Sequence, residues 1–199
     1  MSLIVSTINE LLEMRGEDEV WSVLSSFRCA KNPDIETFAR HKALDFNRQG
    51  IAVTYLVFSC DGESACLAGF YTLAIKIASV SREGLSKGIC RRLSKFSDSD
   101  SDESHFLVPM ILIAQFGKND AAGSCLAGSD LMGLALDSIR EIQSKAGGRF
   151  VFLECDNAPK LLEFYRGEGF AEFGLRRLEP DDESSGVHEL VQLFSFLRN

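Results

Sequence analysis

Phenols and indoles are scarce in this chain of 199 residues: 3 Tyr and 1 Trp stand against 15 Phe. Each tyrosine is therefore an exception to a marked preference for plain aromatic rings. Histidine is as rare, and His41, His105 and His188 are far apart in sequence. No CxxC pair occurs among Cys29, Cys60, Cys66, Cys90, Cys125 and Cys155, so spacing argues against zinc and no metal is expected. The start lacks a basic segment followed by a long apolar one, and no export signal is read there. The longest apolar run, Phe106 to Ala114, contains Pro109 and is too short to span a bilayer. A cytoplasmic protein without a membrane partner, with reduced and mostly buried thiols, is the expectation.

What is present is ordinary for a globular chain, with 45% hydrophobic and 25% charged residues. Disorder throughout, a collagen-like repeat and a coiled coil are excluded. The length predicts a single domain, 1–199. The net charge of −8 argues against a dedicated nucleic-acid binder. That charge is uneven, since Arg82, Lys87, Arg91, Arg92 and Lys95 face only Glu83 in a segment of net +4. The cluster reads either as a solvated helix face or as a basic patch. Beside it, Ser97 to Ser104 (SDSDSDES) cannot bury apolar surface and predicts an acidic mobile loop.

Periodicity predicts a short helix over 3–14, a strand over 20–28, and a helix from Asn32-Pro33-Asp34 to about Gln49. Two β-rich runs, 52–59 and 65–79, flank Asp61-Gly62, a hairpin signal. Residues 81–96 read as helix or irregular chain. Beyond them come a buried strand (106–118), a small-residue loop (119–129) and a helix to about Ala146 ended by Gly147-Gly148. A strand (149–155) follows, then a helix near Ala158-Pro159 capped by Asp156-Asn157, and two strands (170–178 and 187–197) around an acidic turn.

A buried strand, a small-residue loop and a helix start can together hold an anion. Free backbone N–H groups and the helix dipole both favour negative charge there. Here the candidates are Gly123, Ser124, Cys125, Leu126, Ala127, Gly128 and Ser129. Two glycines in such a turn can equally serve geometry alone. Tyr165 lies four residues after Leu161, a spacing that also suits a core anchor.

The order of elements, with FYRGEGF at 164–170, resembles the GNAT superfamily of acyl-CoA-dependent N-acetyltransferases. FRCAKNPDIETFARHKALDFNRQGIAVTYLVF followed by GFYTLA at 69–74 is similar to its bacterial toxin-like subgroup. The resemblance covers nearly the whole chain. It implies an α/β (α+β) GNAT fold with a mixed sheet of about six to seven strands and helices on both faces. It implies acetyl transfer from acetyl-CoA to a primary amine by direct attack. The acceptor would be aminoacyl-tRNA, reached through the basic cluster, or a small amine or a protein. A homodimer is compatible with it.

By the same resemblance, the main chain of Phe116, Gly117 and Lys118 would pair with the pantetheine arm, and the 123–129 loop would hold the pyrophosphate. Gly128 matches the last glycine of the family's loop, while Gly123 and Leu126 depart from its pattern. That departure supports the alternative of a catalytically degenerate GNAT-like binding module. Tyr165 matches the family's general-acid tyrosine. Glu154, placed by strand parity with Phe150 and Phe152, is a candidate base, a structural partner of an arginine, or a strand-end residue near solvent. Asn157 is either a helix cap or a neighbour of the pantetheine arm. Cys125 and Cys155 read as packing or loop residues, since no histidine accompanies them in sequence.

Overall fold

The computed structural model describes residues 2–62, 64–99, 104–123, 125–178 and 188–197. In chain order the elements are β1 (Ser2–Thr7), α1 (Ile8–Arg15), α2 (Glu17–Ser25) and α3 (Pro33–Thr37). A π-helical turn (Phe38–Lys42), α4 (Ala43–Arg48), β2 (Val53–Asp61) and β3 (Ser64–Ser81) follow. Next are α5 (Lys87–Leu93), β4 (Asp98–Ser99), β5 (His105–Lys118) and a 3₁₀ turn (Asp120–Ala122). The chain ends with α6 (Gly128–Ala146), β6 (Phe150–Asp156), α7 (Pro159–Gly167), β7 (Ala171–Leu178) and β8 (His188–Phe196). Among the described residues the strands run in the order β1-β2-β3-β5-β6-β8-β7, with the short β4 on β5. The sheet is mixed.

Two stretches differ from the sequence reading. Residues 3–14 divide at Thr7: Ser2–Thr7 pair with β2, and the helix begins only at Ile8. Thr7 and Glu10 form a reciprocal capping box, which fixes the helix start at that point. Residues 20–28 are not a strand. Glu17, Asp18 and Glu19 occupy the first turn of α2, where carboxylates favour the helix dipole. Val20 and Leu24, four apart, bury the same face. The β2–β3 hairpin follows its prediction, with Asp61 opposite Ser64. Of the acidic run, Asp98 and Ser99 lie in a strand rather than a loop, and 100–103 fall outside the described residues. The acidic turn before β8 also lies outside them.

Contacts divide the chain into two compact units, 1–74 with 113–138, and 75–112 with 139–199. In the first unit, Ile8, Val20, Leu24, Phe27, Phe38 and Leu44 from the helices pack on Leu56, Leu67 and Phe70 of the sheet. Phe27 and Phe70 meet edge to face at 4.9 Å between centroids. Tyr71, next along the strand and so on the opposite face, reaches α6, where its hydroxyl lies 2.7 Å from Ser138 Oγ. Helices thus cover both faces there. In the second unit, Val80, Leu93, Phe106, Val108, Met110, Phe150, Phe152 and Phe194 form the core.

All six cysteines are free, but only Cys155 is buried, and Cys66 is exposed. The expectation of mostly buried thiols therefore fails. No helix among the described residues is long and apolar enough to cross a membrane.

Candidate active site

The first unit carries the strand end and loop assigned to the acyl donor. At the end of β5, Phe116 is half-buried, Gly117 buried and Lys118 exposed. Gly117 has no room for a side chain, because a Cβ would lie 2.7 Å from Ile35 Cγ2 and 3.2 Å from Phe27 Cζ. Asn119, 4% exposed, then locks the chain. Its backbone N–H donates to Ala68 O (2.8 Å) and its Nδ2 to Leu67 O (2.7 Å). Its Oδ1 accepts from Arg28 N (2.9 Å) and Ala121 N (3.1 Å). Asp120 completes the seam: its N–H donates to Arg28 O (2.8 Å), and its Oδ2 accepts from Ala30 N (2.8 Å). The end of β5 is thereby fixed to β3 and to the 28–30 segment.

Gly123 closes the 3₁₀ turn with φ +67, a conformation that L side chains rarely adopt. Ser124 lies outside the described residues. Leu126, which departs from the family glycine, is 3% exposed. Its Cδ2 would stand 3.0 Å from a Cβ at Gly69, so the side chain fills the core beneath the loop. Ala127 and Ser129 are exposed, and Cys125 and Gly128 are half-buried. The helix that starts at Gly128 is 19 residues long, and its first N–H groups have no partner within the helix. The loop offers backbone donors and a dipole, with no cation of its own. Asp130 in the first turn already compensates part of that dipole.

The second unit carries Tyr165, Glu154 and Asn157. Ala158, not Asp156 or Asn157, is the N-cap of α7, and no side chain caps it. Pro159 stands at the helix start as expected. Asn157 is exposed, and its cap reading fails because Ala158 holds that position. Tyr165 is 8% exposed, its ring edge-on to Phe164 (5.1 Å) and Phe170 (6.2 Å). Leu162 shares its buried face; Leu161, named from spacing, is 38% exposed. The buried leucine beside the phenol is thus Leu162, three residues before it, rather than Leu161, four before it.

Burial pushes the Tyr165 phenol well above its ordinary range, and the neighbouring Cys155 sulfur adds to the shift. No hydrogen-bond partner for its hydroxyl stands among the described residues. Cys155 is pushed up to about 11 by burial, then by Asp156 and Glu172. At neutral pH both groups keep their protons. Tyr71 is also raised, to about 12, by burial, yet its hydroxyl is engaged by Ser138 and by Leu134 O. Among the described residues Tyr165 therefore differs from Tyr71 in having no hydrogen-bond partner for its hydroxyl.

Glu154 is 12% exposed at its side chain and both oxygens are engaged. Oε2 pairs with Arg176 Nη1 (2.7 Å), and Oε1 accepts from Gln192 Nε2 (2.8 Å). Glu154 and Gln192 are register partners on β6 and β8, and Arg176 comes from β7. The pairing with an arginine, one of the sequence alternatives, is what the geometry contains.

In the same unit, Ser86 caps α5, and Leu93 is the buried anchor of that helix. Lys87, Arg91, Arg92 and Lys95 are exposed. The Arg92 guanidinium lies over the Phe196 ring at 5.5 Å, and that of Arg82 over Phe106 at 4.3 Å.

The architecture is the GNAT fold. Solved structures of KacT and AtaT, toxin acetyltransferases of that fold, match the chain over most of its length. A KacT variant with tyrosine replaced by phenylalanine superposes at TM-score 0.63, with 16% identity over 96% of this chain and 94% of that one. AtaT complexed with acetyl-methionyl-tRNAfMet gives TM-score 0.63 and 15% identity over 96% and 94%. AtaTR bound with AcCoA gives 0.57 and 16% over 96% and 91%. No protein-family model and no curated protein sequence matches the chain.

Proposed function

We propose that the chain is an acetyl-CoA-dependent N-acetyltransferase of the cytoplasm. The observation that carries this reading is Tyr165, a buried phenol whose hydroxyl has no partner among the described residues, in the FYRGEGF segment of α7. Solved neighbours bound to AcCoA and to acetyl-methionyl-tRNAfMet support it. The main chain of Phe116, Gly117 and Lys118 would align the pantetheine arm, with Asn157 as a further contact, and an N–H there would face the developing charge on the thioester carbonyl oxygen. Gly123, Ser124, Cys125, Leu126, Ala127, Gly128 and Ser129 would receive the pyrophosphate through backbone N–H groups. The inward turn of Leu126 is compatible with that, since its side chain occupies the core.

In the reaction the amine nitrogen forms a bond to the acyl carbon, the carbon–sulfur bond breaks, and the amine's proton leaves through water. Tyr165 donates a hydrogen bond to the departing thiolate. A phenol raised above its usual ~10 stabilises a thiolate of pKa about 8.5 by sharing its proton more readily than by surrendering it. Glu154, with both oxygens held, serves as an anchor across β6, β8 and β7; acting as the base would require Arg176 or Gln192 to release it. The acceptor we favour is the amine of an aminoacyl-tRNA.

The loop without a cation, and with Asp130 in the first helical turn, favours one other reading, a GNAT-like binding module without catalysis. Titration of acetyl-CoA separates the two. The enzyme reading expects saturable binding well below a millimolar, and no binding up to about that concentration, roughly −4 kcal/mol, overturns it. Given binding, Tyr165→Phe is expected to lower kcat by about 10²-fold or more with acetyl-CoA affinity nearly unchanged. Unchanged turnover would remove Tyr165 from the mechanism.

A further inference from the structure

In the first unit, Phe38 and Ala39 are buried, and so are Ala43 and Leu44, five residues further on. A regular α-helix rotates a five-residue step about 140° off the first face. The chain resolves the conflict with a π turn, in which Ala43 N–H donates to Phe38 O. The inserted residue lets both apolar pairs face the core and leaves three consecutive basic side chains, Arg40, His41 and Lys42, between them.

Beside this turn is a depression of about 200 Å³ lined by Cys29, Ala30, Thr37, Arg40 and His41, among others. The one carboxylate on its wall, Glu36, is committed to the fold. Its Oε2 accepts from Cys29 N (2.8 Å), and its Oε1 from Arg40 Nη1 (3.0 Å). Those donors, with Arg28 adding to them, hold its carboxyl below the usual range. Arg40 is not used up in the same way: Glu36 engages its Nη1 alone, its Nε is buried with no partner among the described residues, and a third of the side chain is exposed. The segment 28–42 carries Arg28, Lys31, Arg40, Lys42 and His41 against Asp34 and Glu36, in a chain of net charge −8. One wall is Cys29 and Ala30; Ala30 N–H donates to Asp120 Oδ2, and the N–H of Arg28 just before the wall donates to Asn119 Oδ1, both just past the end of β5.

We propose that this depression is a phosphate subsite for the acceptor, with Arg40 and His41 as its donors. A guanidinium held from one side by Glu36 presents a fixed, planar set of donors, which suits phosphate oxygens. Its position against the β5 end places the phosphate-bearing acceptor beside the strand that aligns the acyl donor. The phosphate comes from the backbone of an RNA acceptor or from a small phosphorylated amine. The identity of the ligand as an acceptor rests on the acetyltransferase reading; binding of phosphate does not.

Two measurements on the full chain test it, with Arg40→Gln and the exposed-side variant His41→Asn, and Arg40→Lys as partial rescue. The first is anisotropy of a labelled CCA-ended RNA minihelix, and displacement by phosphoethanolamine, both with CoA saturating so that the 123–129 loop is occupied. The expected result is about a tenfold weaker Kd in each variant, near 1.4 kcal/mol, partly restored in Arg40→Lys. Weakening of the minihelix alone assigns the site to RNA, and weakening of both assigns it to the phosphate of any acceptor. Unchanged binding in both variants overturns the proposal, whether or not the chain acetylates anything. The second compares KM for an aminoacylated minihelix with that for the same amino acid's methyl ester. A rise confined to the phosphate-bearing acceptor is expected, and an equal change for both overturns the proposal. Failure of the acetyl-CoA titration, in contrast, sinks the enzyme reading; the anisotropy is then run without CoA, and the Arg40 and His41 variants still decide the proposal.

Discussion

An amide can donate and accept from one side chain, and the three side-chain hydrogen bonds of Asn119 use both abilities. Nδ2 supplies the proton to Leu67 O, while Oδ1 takes protons from Arg28 and Ala121. A carboxylate of the same shape could keep the second pair and would face the Leu67 carbonyl oxygen with a negative charge. At 4% exposure the charge is almost wholly removed from bulk solvent. Asn119→Asp is therefore expected to destabilise the fold by about 3 kcal/mol at neutral pH. Protonation restores a donor, so the introduced carboxyl has a raised pKa in the folded state. The folded chain then binds the extra proton, and the deficit grows as pH rises through and above the usual carboxylate range. Urea melts of both proteins at about pH 5 and 8 check this; a deficit independent of pH would contradict the bond assignment. In the sequence the position is only the first residue of the small-residue loop that follows the buried strand. Its partners are not legible there, because Leu67 and Arg28 meet it only through the tertiary fold.

At the scale of elements, the second half of the chain was legible because its signals are local: a long apolar strand, Gly147-Gly148 after a helix, Pro159 opening another. The N-terminal region was misread where two signals compete. LIVS suits a strand and INELLEMR a helix, and a single helix over 3–14 averages them, whereas Thr7 and Glu10 three residues apart mark the boundary. In 20–28 the serines between apolar residues imitate strand alternation, while Val20 and Leu24 are spaced for a helix. The π turn was invisible to a regular 3.6-residue period, although two buried pairs five apart are its trace. The capping box yields a test. Thr7→Ala is expected to cost about 1 kcal/mol, read from the thermal midpoint. Glu10 is held below its ordinary 4.5 first by the Thr7 N–H and then by its hydroxyl. A lowered folded-state value means the stabilisation is present above about 4.5 and is lost as pH falls through the folded-state value. Glu10→Gln should therefore be less stable than the wild type at neutral pH and indistinguishable from it in acid. A difference that persists in acid would assign the loss to packing.

At the scale of the whole molecule, a net charge of −8 would repel a polyanion unless positive charge is collected in one place. Residues 82–95 collect it, which leaves −12 over the rest of the chain. Leu93 anchors α5, so the exposed Lys87, Arg91, Arg92 and Lys95 form a surface whose side chains are set by one buried residue. Arg92 is partly engaged by Phe196. A solvated helix face and an RNA-binding patch have the same sequence, and they differ in their response to salt. Each phosphate contact releases counterions, so binding through the patch falls steeply with ionic strength. Replacing Arg91→Glu together with Arg92→Glu should weaken tRNA binding and flatten the log–log salt slope by about 1.5 for two lost contacts. Leu93 and the fold of α5 are untouched by the change, and acetyl-CoA affinity is expected to stay the same. If tRNA affinity and its salt slope both survive the charge reversal, the cluster is a solvated face. The acceptor would then have to be recognised without it, and Arg40 and His41 would be the next basic residues to examine.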